Sequence, residues 1–215
     1  MKYLVLGAFA ALMVLPAYGA MAADLMDPEP IVDDGALVSP FAGGYFGGNF
    51  GYSWGPESAP NHPTFTVSGF TAGGQAGYNM ELGSGFIVGG QADANWSNAA
   101  GADNIAVEAK LNWTASITGH LGYAIGDTVM PYMLGGIAIG NATGTVVVGP
   151  TGTNTQTFAG WTLGAGAEVK LVENVTAFAE YRYTDYGKKN FTIAGITTPQ
   201  AYHDNAVRTG INFHF

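Results

Sequence analysis

Cysteine is absent from the 215 residues, which excludes disulfide scaffolds, thiolate metal sites and cysteine nucleophiles. Charge is scarce as well. Asp, Glu, Lys and Arg make up 11% of the chain, where an ordinary soluble domain carries roughly 25%. Basic residues are the scarcest, 7 against 16 acidic ones, for a formal net charge of −9. Acidity of this size argues against nucleic acid as a partner and against attraction to anionic lipid heads. A membrane helix would need about 18 or more consecutive apolar residues, and no such run exists beyond the N-terminus. What the chain does have is 33 glycines, 12 Phe, 11 Tyr and 4 Trp. Glycine at this level weakens helices throughout. An apolar, ion-poor chain without a helical span suits the other structure able to cross a bilayer, a closed β-barrel.

The N-terminus reads as an export signal. Lys2 supplies a positive start, Tyr3 to Leu15 an apolar core, and Ala20-Met21-Ala22 a small-residue cleavage site. Residues 1–22 are therefore expected to be a signal peptide, its apolar core too short for an anchor helix. Residues 23–40 hold Asp24, Asp27, Glu29, Asp33 and Asp34 beside Pro28 and Pro30, and are expected to form a periplasmic leader. They lack the spacing of an EF-hand calcium loop.

From Phe41 to the terminus the period is two, as in strands whose side chains alternate between faces. In the first strand Phe46, Gly48, Phe50, Tyr52 and Trp54 oppose Tyr45, Asn49 and Ser53. The second sets Phe70, Ala72, Gly74, Ala76 and Tyr78 against Thr71, Gln75 and Asn79, and the third Phe86, Val88, Ala92, Ala94 and Trp96 against Gln91, Asp93 and Asn95. The fourth puts Leu111, Trp113, Ala115, Ile117, Leu121 and Tyr123 on the apolar face, while the fifth, Tyr132 to Asn141, is too glycine-rich to assign. Trp161, Leu163 and Val169 oppose Thr162, Glu168 and Lys170 on the sixth. Tyr181 and Tyr183 oppose Glu180 and Arg182 on the seventh, and Val207, Ile211, Phe213 and Phe215 oppose Arg208, Asn212 and His214 on the last. Short turns near Glu81–Gly85, Gly126–Thr128 and Val172–Asn174 alternate with longer polar connections at Gly55–Thr64, Ser97–Ala106, Thr143–Gln156 and Gly187–Asn205. The expected fold is all-β, an eight-stranded antiparallel up-and-down transmembrane barrel over residues 41–215, with the long loops outside and the first strand paired to the last.

A soluble eight-stranded barrel also alternates, but its interior must be apolar. Here that would force Asp93, Glu168, Glu180, Arg182 and Arg208 outward on strands with almost no other charge. Aromatic placement favours lipid too. Trp54, Trp96, Trp113 and Trp161 fall near one interface as an outer girdle, and Tyr78, Phe86, Tyr123, Tyr132 and Phe215 near the other as an inner one. The five ions then face inward as a structural network filling a lumen too narrow for bulk water, since buried charges must pair. In the lipid-facing set, an arginine at Leu163 or Ala179 should destabilise more than one at inward Thr162. The alternating Val207, Ile211, Phe213 and terminal Phe215 resemble the signal read by the barrel-assembly machinery.

Several stretches resemble the Omp25/RopB-type outer-membrane β-barrel proteins of alphaproteobacteria. They are Gly160-Trp-Thr-Leu-Gly-Ala-Gly-Ala-Glu-Val-Lys-Leu171, Asn174-Val-Thr, Glu180-Tyr-Arg-Tyr-Thr-Asp-Tyr-Gly187, Val129-Met-Pro-Tyr132, Gly135-Gly-Ile-Ala138 and Ala42-Gly-Gly-Tyr45. The resemblance runs from about Phe41 to the terminus and is strongest after Thr128. It implies an abundant envelope protein of the outer membrane, an eight-stranded barrel associated with lipopolysaccharide, with no catalytic residues to carry over.

The residues offer little chemistry. His62, His120, His203 and His214 are scattered without metal-site spacing, and His120 and His214 read as satisfied lumen residues. Ser116 and His120 face inward four residues apart, too far for a nucleophile–base hydrogen bond. Glycine pairs such as Gly73-Gly74 precede no helix and are not phosphate loops. No enzyme activity and no cofactor is expected. The leading functional reading is a structural barrel that supports envelope integrity and displays its loops. A narrow-pore channel for small solutes is the first alternative, and a surface adhesin or haem or ligand receptor acting through the loops is the second.

Overall fold

The computed structural model describes residues 39–58, 65–102, 107–146, 152–193 and 196–215. The expected signal peptide, all but the last two residues of the leader, and His62 lie outside the described residues.

Among the described residues nine strands follow one another: β1 (Gly43–Ser58), β2 (Phe65–Gly83), β3 (Phe86–Ser97), β4 (Ala100–Ala102), β5 (Val107–Tyr123), β6 (Val129–Val146), β7 (Gly152–Val172), β8 (Val175–Ile193) and β9 (Ile196–His214). Short β4 continues β3 past a break at Asn98-Ala99, and it pairs with the same two neighbours, β2 and β5. The break is bridged by hydrogen bonds, from Asn98 N to Phe70 O and from Leu111 N to Ala99 O. The nine strands therefore make eight staves, all antiparallel. β1 pairs with β2 on one side and with β9 on the other, so the sheet closes on itself and leaves no edge. At the seam Tyr45 stands opposite His214 and Tyr52 opposite Val207, which is the expected pairing of first and last strands. Phe46 and Phe213 stack across it with ring centroids 5.7 Å apart, a cross-strand contact of the kind worth about 0.2–1 kcal/mol.

The tight turns lie where the pattern places them, and two of the three use left-handed backbone. Gly83, Ser84 and Gly85 have φ of 92°, 54° and 83°, and Gly126 has 59°, conformations in which glycine carries no steric penalty. The long connections differ from expectation. Much of each is strand: β1 reaches Ser58, β6 and β7 pair through Thr143↔Thr155 and Thr145↔Thr153, and β8 and β9 pair as far as Ile193↔Ile196. These extensions lose the apolar alternation because side chains beyond the lipid meet water on the outer face. The backbone ladder needs no apolar partner and runs on. His203, read as a loop residue, accordingly sits in β9 opposite Asp185.

Solvent exposure is inverted relative to a soluble protein. Ile117 is 63%, Ile137 65% and Met133 71% exposed, whereas Asp93, Glu168, Glu180, Arg182 and Arg208 are 4–6% exposed. Large apolar side chains in a broad band around the outside mark a surface that meets hydrocarbon rather than water. The glycine-rich stave resolves accordingly: on β6 Met133 and Ile137 face out, and Leu134 and Ala138 face in.

Two assignments to the lipid face fail, one made by parity and one by depth. Leu111, expected on the lipid face, is 2% exposed in the lumen. The pairing of β5 with β6 slips between Leu111 and Trp113, so Asn112 is an extra residue and the alternation reverses there. Tyr132, expected in the inner girdle, instead turns into the lumen and hydrogen bonds Glu180. Glycine makes the room for it. A Cβ at Gly166 would lie 2.8 Å from the Tyr132 ring and hydroxyl, so this glycine serves the lumen.

Candidate functional site

Three strands bring four ions together in the middle of the lumen. Glu180 on β8 stands directly opposite Arg208 on β9. Arg182 follows two residues later on the same face of β8, and Asp93 projects from β3 across the barrel. Both oxygens of Asp93 are engaged: Oδ1 accepts from Arg208 Nη1 at 2.9 Å and Asn95 Nδ2 at 2.7 Å, and Oδ2 accepts from Arg182 Nη1 at 2.9 Å and from Ser116 Oγ. Glu180 Oε1 accepts from Arg182 Nε and lies 3.9 Å from Arg208 Nε. Its Oε2 accepts from the Tyr132 hydroxyl at 3.0 Å. Two cations and two anions thus cancel inside one buried cluster, which ties β3 to β8 and β9 through charge-assisted bonds. Ser116 is spent on Asp93 and Arg182, with Nη1 of the latter 2.9 Å away.

Glu168, expected in the same network, is held apart from the arginines. Its Oε1 takes hydrogen bonds from Asn212 Nδ2 at 2.9 Å and from Thr176 Oγ1, with His214 Nε2 at 3.2 Å. The reason is register: Glu168 pairs with Phe178, two residues nearer the end with the short turns than Glu180. The chain of polar contacts continues from Asn212 to Gln75 and from Gln75 to Asn49, both at 2.7 Å. The Thr176–His214–Glu168 grouping looks like a hydrolytic triad but cannot relay a proton as one. Threonine and carboxylate both meet the same ring nitrogen, Nε2, whereas a triad needs one on each. His120 Nε2 lies 2.8 Å from Asn79 Oδ1.

Apolar caps lie on either side of these polar layers. At the end with the short turns, Phe41 is fully buried against Ile87 and Met130, and its carbonyl accepts from Asn79 Nδ2 at 2.7 Å. Toward the other end Val67, Leu111, Phe158, Tyr186 and Tyr202 form a second buried cluster, in which Tyr186 and Tyr202 stack at 5.7 Å. Sequence reasoning did not assign these caps, although a signal existed. The parity that turns Glu180 and Arg182 inward also turns Tyr186 inward, and that of Asp93 does the same for Ile87. Between the layers lie two small cavities, about 40 Å³ on the outer side of the ion cluster and about 10 Å³ on the inner side.

The tryptophans are on the outside, with Trp96, Trp113 and Trp161 exposed and Trp54 half-buried. Trp96 stands opposite Trp113 across β3 and β5. Tyr78, Phe86, Tyr123 and Phe215 are exposed as well, and so are Val207, Ile211 and Phe213 on β9. Among the described residues no group of three His, Asp or Glu side chains could hold a metal ion.

Tyr132→Phe isolates one bond of the cluster. It should lower unfolding free energy by about 1.5–3 kcal/mol, the usual worth of a hydrogen bond to a charged group, in urea titrations of the refolded barrel. A Phe variant as stable as its parent would show that the hydroxyl does not hold Glu180.

Comparison with known proteins agrees with this architecture. A family profile described as outer membrane protein beta-barrel domain matches residues 8–215. The 31 kDa outer-membrane immunogenic protein of Brucella melitensis is 33% identical, over 100% of both chains. The 25 kDa outer-membrane immunogenic protein of Brucella abortus is 33% identical over 91% of each. The 22 kDa outer membrane protein of Rhizobium leguminosarum bv. viciae is 34% identical over 74% of this chain and 83% of its own. Among solved structures, Neisserial surface protein A superposes with a TM-score of 0.52 at 16% identity, over 81% of this chain and 98% of that one, a likeness of fold. With its apolar exterior, edgeless sheet and full-length relatives, the chain belongs to the outer-membrane β-barrel proteins, in the group of the Brucella 31 and 25 kDa proteins, and resides in the outer membrane.

Proposed function

We propose that this protein is a closed, non-enzymatic structural barrel that supports the integrity of the outer membrane and carries four connections to the cell exterior. The observation that carries the reading is Asp93, whose two oxygens bind two different arginines from the opposite wall and so fill the lumen at its centre. The apolar caps at either end add two further barriers in series. Relatives of full-length similarity are named as immunogenic outer-membrane proteins, which supports a surface role for the connections. Lipid and lipopolysaccharide are the proposed partners of the apolar exterior. The barrel-assembly machinery is the proposed partner of the last strand, through Val207, Ile211, Phe213 and Phe215.

Planar-bilayer recording tests the closed lumen. The refolded wild-type barrel should give no stepwise conductance, and regular steps at neutral pH would replace this reading with the narrow-pore channel. A deletion strain tests the structural role: it should become sensitive to detergent without losing uptake of small sugars. Loss of host-cell attachment with the envelope intact would instead favour the adhesin.

A further inference from the structure

The cavity of about 40 Å³ outside the ion cluster is lined by Asp93, Asn95, Arg182, Asp204 and Arg208, among others. Five polar atoms on four of these side chains have no hydrogen-bond partner among the described residues: Asn95 Oδ1, Arg182 Nη2, Asp204 Oδ1, Arg208 Nε and Arg208 Nη2. All four residues are buried, at 4–7% exposure, and a buried polar atom left bare is costly enough to be rare. Three of the atoms are donors on guanidinium groups and two are acceptors. An anion in the cavity would satisfy the donors but face the Asp204 carboxylate. A cation would satisfy the acceptors but face two arginines. Water accepts two hydrogen bonds and donates two, so it suits both sides at once. The volume fits as well, since one buried water needs roughly 10–15 Å³ of such space and two to four polar partners.

We propose that this cavity is an internal hydration site, in which one to three water molecules bridge Asp204 and Asn95 to Arg182 and Arg208. The water makes Asp204 a member of the ion network. Among the described residues, Asp204 forms no direct ion pair. The apolar cluster around Tyr186, which also lines the cavity, closes this pocket of water from the outer side, as the ion cluster does from the inner side. The site has the same occupant whether or not the barrel proves to conduct.

A crystal structure of the refolded wild-type barrel, at a resolution that orders water, tests the site directly. Density should appear within hydrogen-bonding distance of both Arg208 Nη2 and Asp204, with no anomalous signal there after soaking in bromide. An empty cavity, or an anomalous bromide peak, would overturn the proposal. Two variants supply a second readout. Asp204→Asn keeps an acceptor and should keep the water peak. Asp204→Leu should expel it, with a melting midpoint roughly 5–10 °C below that of the Asn variant. A Leu variant that melts no lower than the Asn variant would equally overturn the bridge.

Discussion

Arg182→Ala should lower the unfolding free energy of the refolded barrel by about 3–5 kcal/mol, the usual consequence of removing one partner from a buried ion pair. Its guanidinium meets Asp93, Glu180 and Ser116, so its loss leaves two carboxylates short of a donor. Asp93 retains Arg208, and Glu180 retains Tyr132 together with a guanidinium nitrogen at 3.9 Å. Arg182→Lys should recover only part of the loss, because an ammonium group keeps the charge but not the fork that reaches both acids. Urea titration in detergent micelles gives the answer. A variant within about 1 kcal/mol of wild type would mean that water reaches the cluster and screens it. Because the caps around Phe41 and around Tyr186 lie in series with the cluster, this single variant should still pass no current.

The second large effect belongs to the lipid face. Leu163 is 56% exposed on β7, and arginine there should cost about 2–4 kcal/mol near the membrane midplane. Ala179 on β8, also exposed, should behave likewise. The alternation alone makes Thr162→Arg the milder change, since a polar lumen offers partners. The packing reverses that. Thr162 is 1% exposed, donates to Tyr183 O at 3.2 Å and accepts from Thr184 Oγ1 at 3.0 Å. It borders a cavity of about 40 Å³ that already receives two arginines. A third guanidinium would meet both crowding and like charge, so Thr162→Arg should cost at least as much as Leu163→Arg. Refolding yield against urea for the two variants measures this. A harmless Leu163→Arg would put the assigned faces one residue out of register.

Much of the barrel is legible along the chain because a strand in a membrane wall has only two environments, lipid and lumen, and its side chains alternate between them. Phe46, Phe70, Ile117 and Leu163 declare one face, and Asn49, Gln75, Asp93 and Arg182 the other. Where that rule breaks, reading along the chain breaks with it. The extra residue at Asn112 reverses Leu111. Beyond the lipid, the threonine ladder from Thr143 to Thr155 looks like loop because water stands outside it. On β6 the glycines erase the contrast, and Tyr132 goes inward because Gly166 on the neighbouring strand leaves it a place.

The sequence by itself determined the all-β barrel, the closure of first strand on last, and the inward facing of Asp93, Glu180, Arg182 and Arg208. Each of these follows from local pattern and from the demand that every backbone group in a bilayer be paired. Only the tertiary structure decided which ions meet. Partnership across a lumen depends on the stagger between strands far apart in the chain, and an offset of two residues from Glu180 is enough to keep Glu168 from both arginines that Asp93 binds. The same stagger sets the apolar caps at Phe41 and Tyr186, because inward residues of one parity form a seal only where several strands bring them to the same height.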